Sequence, residues 1–271
     1  MLKLLRAGAF RLRRCRILWL CMAAAFGISS FFLIRMGIER ENRRTLDEAI
    51  MQVLPFLPIL HAVFAGLLLG LEYQDGTMRN KLTVGHTRSA VYCSQLFTAM
   101  AGCFSILLAW AMSIAVGTGV FGWFTAPWQT LLLHSAVVLL MTAAVAAILT
   151  LPAMLITNRA ISGVTAIMVV FGLLVLGSFI YNALCEPEMA SAAVMTENGF
   201  EMGEPMPNPQ YIGGTLRLIY QFLIEALPSG QAILLANQEL TRPGLSLCAS
   251  MCIVLLTTGI GIAAFKRKNL K

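Results

Sequence analysis

Charged side chains are scarce in this sequence of 271 residues. Asp, Glu, Lys and Arg make up 12% of the chain, whereas hydrophobic residues make up 58%. A water-soluble domain carries about 25% charged residues, so this chain cannot cover a folded core with a water-facing surface. The shortage of charge therefore excludes a soluble globular protein and predicts a protein of the lipid bilayer.

The sequence also lacks the short motifs of common catalytic and nucleotide-binding sites. It has no G-x-x-x-x-G-K-[ST] for phosphates, no H-E-x-x-H for zinc and no G-x-S-x-G for a nucleophilic serine. We therefore predict that the chain is not an enzyme, and that it holds no catalytic residue, no metal site and no cofactor.

Cysteine spacing predicts neither a disulfide framework nor a metal site. No C-x-x-C pair occurs, and four of the seven cysteines lie in apolar runs, at Cys21, Cys103, Cys248 and Cys252. The net charge of +7 does not indicate nucleic acid, because the basic residues lie at the chain ends and between apolar runs. That placement is typical of membrane topology.

Six apolar windows are long enough to cross a hydrocarbon core, which needs about 20 residues. They are 17–34, 51–71, 96–121, 131–151, 161–181 and 245–265. The fold class is therefore an all-α, polytopic membrane protein with six transmembrane helices. We treat residues 1–271 as one transmembrane domain, with a basic amphipathic segment at 1–16 on the inner leaflet and an outer segment at 182–244.

Loop charges predict that both termini are cytoplasmic. In that orientation the inner segments hold 14 of the 20 basic residues and the outer segments hold 11 of the 13 acidic residues, which satisfies the positive-inside rule. The inner basic residues are Lys3, Arg6, Arg11, Arg13, Arg14, Arg16, Arg79, Lys81, Arg88, Arg159, Lys266, Arg267, Lys268 and Lys271.

The spans and the outer segment contain several local signals. Pro55 and Pro58 predict a bend in the outer part of the second span, and Pro152 predicts the inner end of the fourth. Residues 186–210 are acidic and proline-bearing, which predicts a loop or partial disorder. The apolar patches 212–224 and 228–237 fit either a re-entrant gate or plain interfacial helices. His61 lies alone in the second span, where we expect a hydrogen bond to a neighbouring helix.

A compact polar stretch, EYQDGTMRNKLTVGHTRS, occupies positions 72–89 between two apolar runs. Asp75-Gly76 is a turn dipeptide, Thr77 can cap a following helix, and Gly85 permits the left-handed conformation that ends one. Met78 and Leu82 are four residues apart and share a face. We predict a short helix parallel to the membrane, with its apolar face on the bundle and its polar face toward the cytosol.

The sequence LEYQDGTMRNKLTVGHTRSAVYCSQ, at 71–95, resembles the cytoplasmic loop of type-2 ABC transporter permeases, the membrane-spanning subunits of bacterial ABC exporters. In one bacterial group of these permeases a run E-Y-x-D-G-T-x-R-N-K-L follows the second span. The leucine-rich basic start LLRAGAFRLRRCRILW, the outer LPSGQ and the basic C-terminal tail extend the resemblance along the chain.

The resemblance implies that this loop is a coupling helix, which docks on a separate ATP-binding subunit. The matching positions are Glu72, Tyr73, Asp75, Gly76, Thr77, Arg79, Asn80 and Lys81. Among them we expect Gly76 to form the turn and Thr77 to cap the helix. We expect Arg79 and Lys81 to contact the ATP-binding subunit, while Glu72 pairs with one of these two cations.

The resemblance also implies an exporter subunit of the plasma membrane that forms a homodimer or a heterodimer with a sister permease. ATP would bind only the ATP-binding partner, and the bilayer itself is the other partner. Two other functions stay open: an ion-coupled secondary carrier that depends on His61, and a non-transporting immunity or sensor protein that binds an external peptide through 182–244. The transported substrate is unknown from the sequence.

Overall fold

The computed structural model describes residues 2–38, 45–191, 193–196, 199–202 and 205–268. Within these residues six helical segments are long and apolar enough to cross a membrane. The predicted fold class, an all-α polytopic membrane protein with six transmembrane helices, is confirmed. Each predicted window lies inside one of the six segments, and the helices extend beyond most windows by a turn or more.

The spans follow one another along the chain, and two of them are interrupted. They are α2 (Arg16–Ile38); α3 (Leu46–Met51) with a 3-10 turn (Leu54–Phe56) and α4 (Leu57–Gln74); α6 (Arg88–Met112) with α7 (Ile114–Phe121); α8 (Trp128–Leu155); α9 (Arg159–Cys185); and α12 (Pro243–Arg267). The shorter helices are α1 (Leu2–Arg14), α5 (Thr77–Thr83), α10 (Gly214–Ala226) and α11 (Pro228–Ala236).

The prolines of the second span lie where its helix is interrupted. Pro55 lies in the 3-10 turn between α3 and α4, and Pro58 lies in the first turn of α4, where a missing N–H costs no helical hydrogen bond. Pro152 behaves differently from the expectation, because α8 continues past it and ends at Leu155. The predicted end of the fourth span is therefore displaced by less than one turn.

The middle of the bundle is α4, which packs closely on α9 through two glycines. A Cβ atom on Gly66 would lie 2.9 Å from the Cα of Gly163, and one on Gly70 would lie 2.8 Å from the Cα of Arg159. Small residues four apart allow such backbone approach between helices in a bilayer. The buried core continues from α4 to α2, α6 and α8.

The outer segment contains a sharply bent helix pair. The axes of α10 and α11 meet at 91°, with extended backbone at Leu227 and Pro228 at the first position of α11. All nine residues of α11 are buried, and this helix packs against α9 and α8. A helix that is buried along its whole length does not lie flat in a headgroup layer, so the plain interfacial alternative does not describe α11.

The acidic region at 186–210 is not only a loop. It contains antiparallel pairs between β1 (Met189–Ala190) and β4 (Met206–Pro207), and between β2 (Ala193–Thr196) and β3 (Gly199–Met202). Two residues of the sequence, Glu197 and Asn198, separate β2 from β3, and loops of two residues are common in hairpins. The loop or partial disorder expected from composition is therefore wrong for the residues of these four strands.

Candidate coupling site

The polar stretch after α4 folds as a turn, a short helix and a second turn. Gly76 has a φ of +65° and directly precedes α5, and Gly85 has a φ of +95° just after it. Both values lie in the left-handed region, which glycine adopts at little cost. Thr87 then caps α6, because its Oγ1 accepts a hydrogen bond from the N–H of Ala90 at 3.3 Å.

The inner face of α5 rests on the bundle through Met78, which is 1% exposed. Its side chain belongs to a buried cluster to which α4, α6, α8 and α12 also contribute; the other members are Leu69, Val91, Tyr92, Ala153, Met154 and Phe265. Leu82, one turn later, packs against the same cluster, as the spacing predicts. Four spans therefore meet beneath this short helix.

Glu72, near the end of α4, fixes α5 from its other side. Its carboxylate is 6% exposed and accepts hydrogen bonds from the guanidinium of Arg11, from Thr77 Oγ1 at 2.6 Å and from Lys81 Nζ at 2.7 Å. The Thr77 hydroxyl also lies 2.9 Å from the Glu72 carbonyl oxygen. A buried carboxylate is stable only when paired in this way, so Glu72 ties α1, α4 and α5 together.

Two roles expected from the sequence are wrong. Thr77 is the first residue of α5 rather than its N-cap, which is Gly76, and its hydroxyl bonds to Glu72. Lys81 does not face outward, since it lies four residues after Thr77 on the same helical face and pairs with Glu72. Burial lowers the pKa of Lys81, an effect that the Glu72 carboxylate opposes.

The outward face of α5 is formed by Arg79 and Asn80, which are both exposed. Asp75, in the preceding turn, is exposed as well. Neither the Arg79 guanidinium nor the Asn80 amide forms a hydrogen bond or ion pair within the part of the chain that the structure describes. These two side chains are therefore available to a partner.

Tyr73 links the site to the end of the last span. Its hydroxyl donates a hydrogen bond to the Met154 carbonyl oxygen, which also accepts from Lys268 Nζ at 3.1 Å. The same Nζ lies 4.0 Å from the centre of the Tyr73 ring, and burial lowers the pKa of Lys268 to about 8. Arg88 donates to three carbonyl oxygens at the end of α12, those of Phe265, Lys266 and Lys268.

Sequence reasoning did not find Arg11, Arg88 or Lys268 as members of this site. Arg11 lies 61 positions from Glu72, and Arg88 lies 180 positions from Lys268. Pairings of this separation leave no local pattern, although all three residues are among the basic residues predicted to lie on one side of the membrane. Their predicted location on the same side of the membrane was the one sequence signal that could have grouped these three residues.

Other candidate residues lie away from this site. His61 is 1% exposed, and neither of its ring nitrogens has a partner in hydrogen-bond geometry among the described residues. The backbone of Cys103 on the neighbouring α6 nevertheless lies close enough to interact with the ring, so the expected contact is present without full hydrogen-bond geometry. No three His, Cys, Asp or Glu side chains converge as metal ligands in the described ranges.

Comparison with known proteins identifies the family of this chain. The family model described as ABC-2 family transporter protein matches residues 4–177, which include most of α1, the first four spans, α5 and most of α9. A search of curated proteins finds no match to the chain. Because the family model covers well over half of the 271 residues, the chain belongs to the ABC-2 family of transporter proteins.

Proposed function

We propose that this chain is the permease subunit of an ABC-type exporter, and that a separate ATP-binding subunit drives it through α5. Family membership supports a multi-pass transport protein and, in general terms, partnership with an ATP-binding subunit and dimerisation. The observation that carries the proposal is the way α5 is held. Met78 and Glu72 fasten it to the bundle, while Arg79 and Asn80 stay exposed.

A helix held in this way can transmit force. Met78 lies in a cluster shared by the ends of four spans, and closely packed side chains resist compression. The bonds of Thr77 and Lys81 to Glu72 stop α5 from rolling about its own axis. A partner that displaces α5 would therefore move the ends of α4, α6, α8 and α12 together rather than deform a loop.

The exposed face of α5 has the chemistry of a docking surface. The Arg79 guanidinium can bind a carboxylate through two parallel hydrogen bonds, and the Asn80 amide can bind backbone carbonyls or N–H groups. The left-handed glycines on either side let the chain turn sharply before and after α5. We propose that the ATP-binding subunit offers a groove with at least one carboxylate opposite Arg79.

The proposed assembly is a plasma-membrane dimer of permeases with two ATP-binding subunits, and with α5 and both termini in the cytosol. The second permease is either a copy of this chain or a sister chain. On the opposite side, the buried α11 and its 91° bend with α10 make this pair the proposed closure of the exit path.

Arg79→Glu tests the docking role of α5. We expect this change to abolish co-purification of the ATP-binding subunit from native membranes, because a carboxylate would face the carboxylate that Arg79 binds. Arg267→Glu is the matched control, since Arg267 is an exposed arginine at the end of α12 on the same side of the bundle, and it should leave co-purification intact. Lys81 is left unchanged because its loss would break the internal bond to Glu72.

Co-purification that survives Arg79→Glu, in a variant that melts like the wild type, would refute the docking role. Transport that proceeds without ATP and fails in a His61 variant would instead favour the ion-coupled carrier.

A further inference from the structure

The exposed face of α1 has no partner within the described residues. We propose that this face binds the anionic phospholipid headgroups of the leaflet on the α5 side, and that Arg11 transmits this binding to the coupling site. The first half of the proposal concerns the chain alone, whereas the second half rests on the proposed function.

The two faces of α1 differ sharply. Leu4 and Leu12 are 7% and 9% exposed, and Gly8 lies so close to Thr98 of α6 that a Cβ atom would overlap its Oγ1. These residues recur every four positions and form the face that packs on the bundle. The opposite face consists of exposed side chains, Lys3, Arg6, Phe10, Arg13 and Arg14.

Charge on this face is of one sign only. Residues 1–38 contain no Asp or Glu, so no acidic side chain nearby in the sequence offsets the four cations. The guanidinium of Arg14 lies 4.4 Å from the centre of the Phe10 ring, and Phe10 is 57% exposed. Basic and aromatic side chains in one exposed helical face are complementary to an anionic lipid surface, where rings lie at headgroup depth.

The connection to the first span places α1 at that depth. Only Cys15 separates α1 from α2. Because α2 is a membrane span, its first residues lie at the edge of the hydrocarbon core, and α1 ends at the same depth. Trp19, 57% exposed in the first turn of α2, donates its indole N–H to the Arg13 carbonyl oxygen at 3.0 Å. Indole rings favour the interface between headgroups and hydrocarbon. A membrane surface therefore fits this face better than a second protein does.

Arg11 connects the lipid-facing helix to the coupling site. Its side chain is 37% exposed and forms the ion pair with Glu72. A cavity of about 240 Å³ lies between the α1–α2 junction and the end of α4, and both residues of the pair line it. At this cavity, the ion pair between Arg11 and Glu72 joins the end of α1 to the end of α4. A change in the position of α1 would therefore reach α5 through Glu72.

The first experiment uses the purified chain in a neutral detergent. We expect phosphatidylglycerol to raise its melting temperature, because a ligand that binds the folded state stabilises it, and phosphatidylcholine not to. Arg13→Gln with Arg14→Gln should raise the phosphatidylglycerol concentration at half effect by roughly 5- to 25-fold, since each cation near an anionic surface contributes roughly fivefold. The matched control is Lys266→Gln with Arg267→Gln, which removes two exposed cations from α12 and should leave that concentration unchanged.

The second experiment tests the link through Arg11, with the chain and its ATP-binding subunit in vesicles. We expect ATP hydrolysis to be faster in an equal mixture of phosphatidylcholine and phosphatidylglycerol than in phosphatidylcholine alone. Arg11→Gln should abolish this lipid effect while leaving the half-effect concentration of the melting experiment within about twofold of wild type. That combination of results would show that Arg11 couples lipid binding to ATP hydrolysis and does not itself bind the lipid.

Four results would overturn the proposal. Two concern the lipid: equal shifts of the melting temperature with phosphatidylglycerol and phosphatidylcholine, or the same stabilisation by inorganic phosphate as by phosphatidylglycerol. The third is an equal rise of the half-effect concentration of phosphatidylglycerol in the two double variants. The fourth is a lipid effect on ATP hydrolysis that survives Arg11→Gln. Loss of the ATP-binding subunit from the Arg13 and Arg14 variant in phosphatidylcholine would show instead that α1 docks a protein. Failure to find any ATP-binding subunit would defeat the proposed function, but the melting experiment would still decide the lipid site.

Discussion

Glu72 has the most consequential side chain in the described part of the chain. Its carboxylate accepts from Arg11 of α1 and from Thr77 and Lys81 of α5, two elements that meet at the end of α4. Pairing with two cations offsets the cost of burying this charge. The bonds of Glu72 therefore hold α5 in a fixed position relative to α4.

Glu72→Gln should destabilise the chain and loosen α5. A neutral amide leaves Lys81 partly buried without its counter-charge, which costs about 1–3 kcal/mol. For a chain of this size that corresponds to a fall of roughly 5 °C in the melting temperature, measured in detergent by differential scanning fluorimetry. Asp75→Asn, three residues later in an exposed turn, should shift the melting temperature by less than about 1 °C. Equal shifts in the two variants would contradict the role given to Glu72.

Individual residues also show what local sequence could and could not predict. The turn at Gly76 and the left-handed conformation of Gly85 depend on backbone geometry over a few positions, and both were predicted correctly. Glu72 was expected to pair with Arg79 or Lys81, and the structure selects Lys81, which is why Lys81 does not face outward. Thr77 was assigned wrongly because its hydroxyl bonds to Glu72, whose buried position depends on the surrounding helices. The ion pair between Arg11 and Glu72 was beyond prediction, since no periodic pattern links residues so far apart.

The short helix α5 owes its position to the backbone conformation before it. Gly76 has a φ of +65°, and a Cβ atom there would meet no atom within 4 Å. A larger residue would therefore suffer backbone strain without a steric clash. This makes Gly76 a clean position at which to test how much the turn contributes to the presentation of α5.

Gly76→Ala should cost about 1–2 kcal/mol, the cost of the left-handed conformation for a residue with a Cβ atom. We expect faster hydrogen exchange at the amides of α5, measured by mass spectrometry, together with a lower melting temperature. Gly27→Ala is the matched control, because Gly27 lies within α2 and a Cβ atom there also meets no atom within 4 Å. Unchanged exchange in α5 of the Gly76 variant would show that the turn does not hold the helix.

Helices and strands differ in how well the sequence predicted them. Long apolar runs predicted every span, because a bilayer leaves few alternatives to a helix of about 20 residues. The paired strands β1 to β4 were missed, since the acidic and proline-bearing composition of residues 186–210 was taken to predict a loop or partial disorder. The burial of α11 could not be predicted either, because it depends on the space that α8 and α9 leave between them.

The arrangement of the whole molecule separates two surfaces. One end carries α1, α5 and the basic end of α12, and the opposite end carries the strands and the bent pair of α10 and α11. Basic residues concentrate at the first end, which the positive-inside rule places in the cytosol. The orientation stays a prediction, and it determines which end an ATP-binding subunit could reach.

Labelling with a membrane-impermeant maleimide would test this orientation in intact cells. Cys185 is an exposed free thiol at the end of α9, on the side opposite α5, and should react without permeabilisation. A cysteine introduced by Asn80→Cys, in a chain that also carries Cys185→Ser, should react only after the cells are permeabilised. The reverse pattern would place α5 outside the cell and rule out the proposed coupling.

The family assignment of the whole chain agrees with the resemblance drawn from residues 71–95. One short motif with a left-handed glycine, a buried contact and an exposed arginine was therefore more informative than the overall composition, which indicated only a membrane protein. The cargo has no comparable motif, because apolar spans leave few side chains whose chemistry specifies a ligand.

Site-specific photocrosslinking would test most directly whether α5 binds an ATP-binding subunit. A photoreactive amino acid would replace Asn80 in native membranes, and a control chain would carry it at Val175, an exposed position on α9. We predict that the Asn80 position crosslinks to a protein with a nucleotide-binding motif and that the Val175 position does not. A chain that crosslinks to no such protein from Asn80, while it still supports transport, would contradict the account.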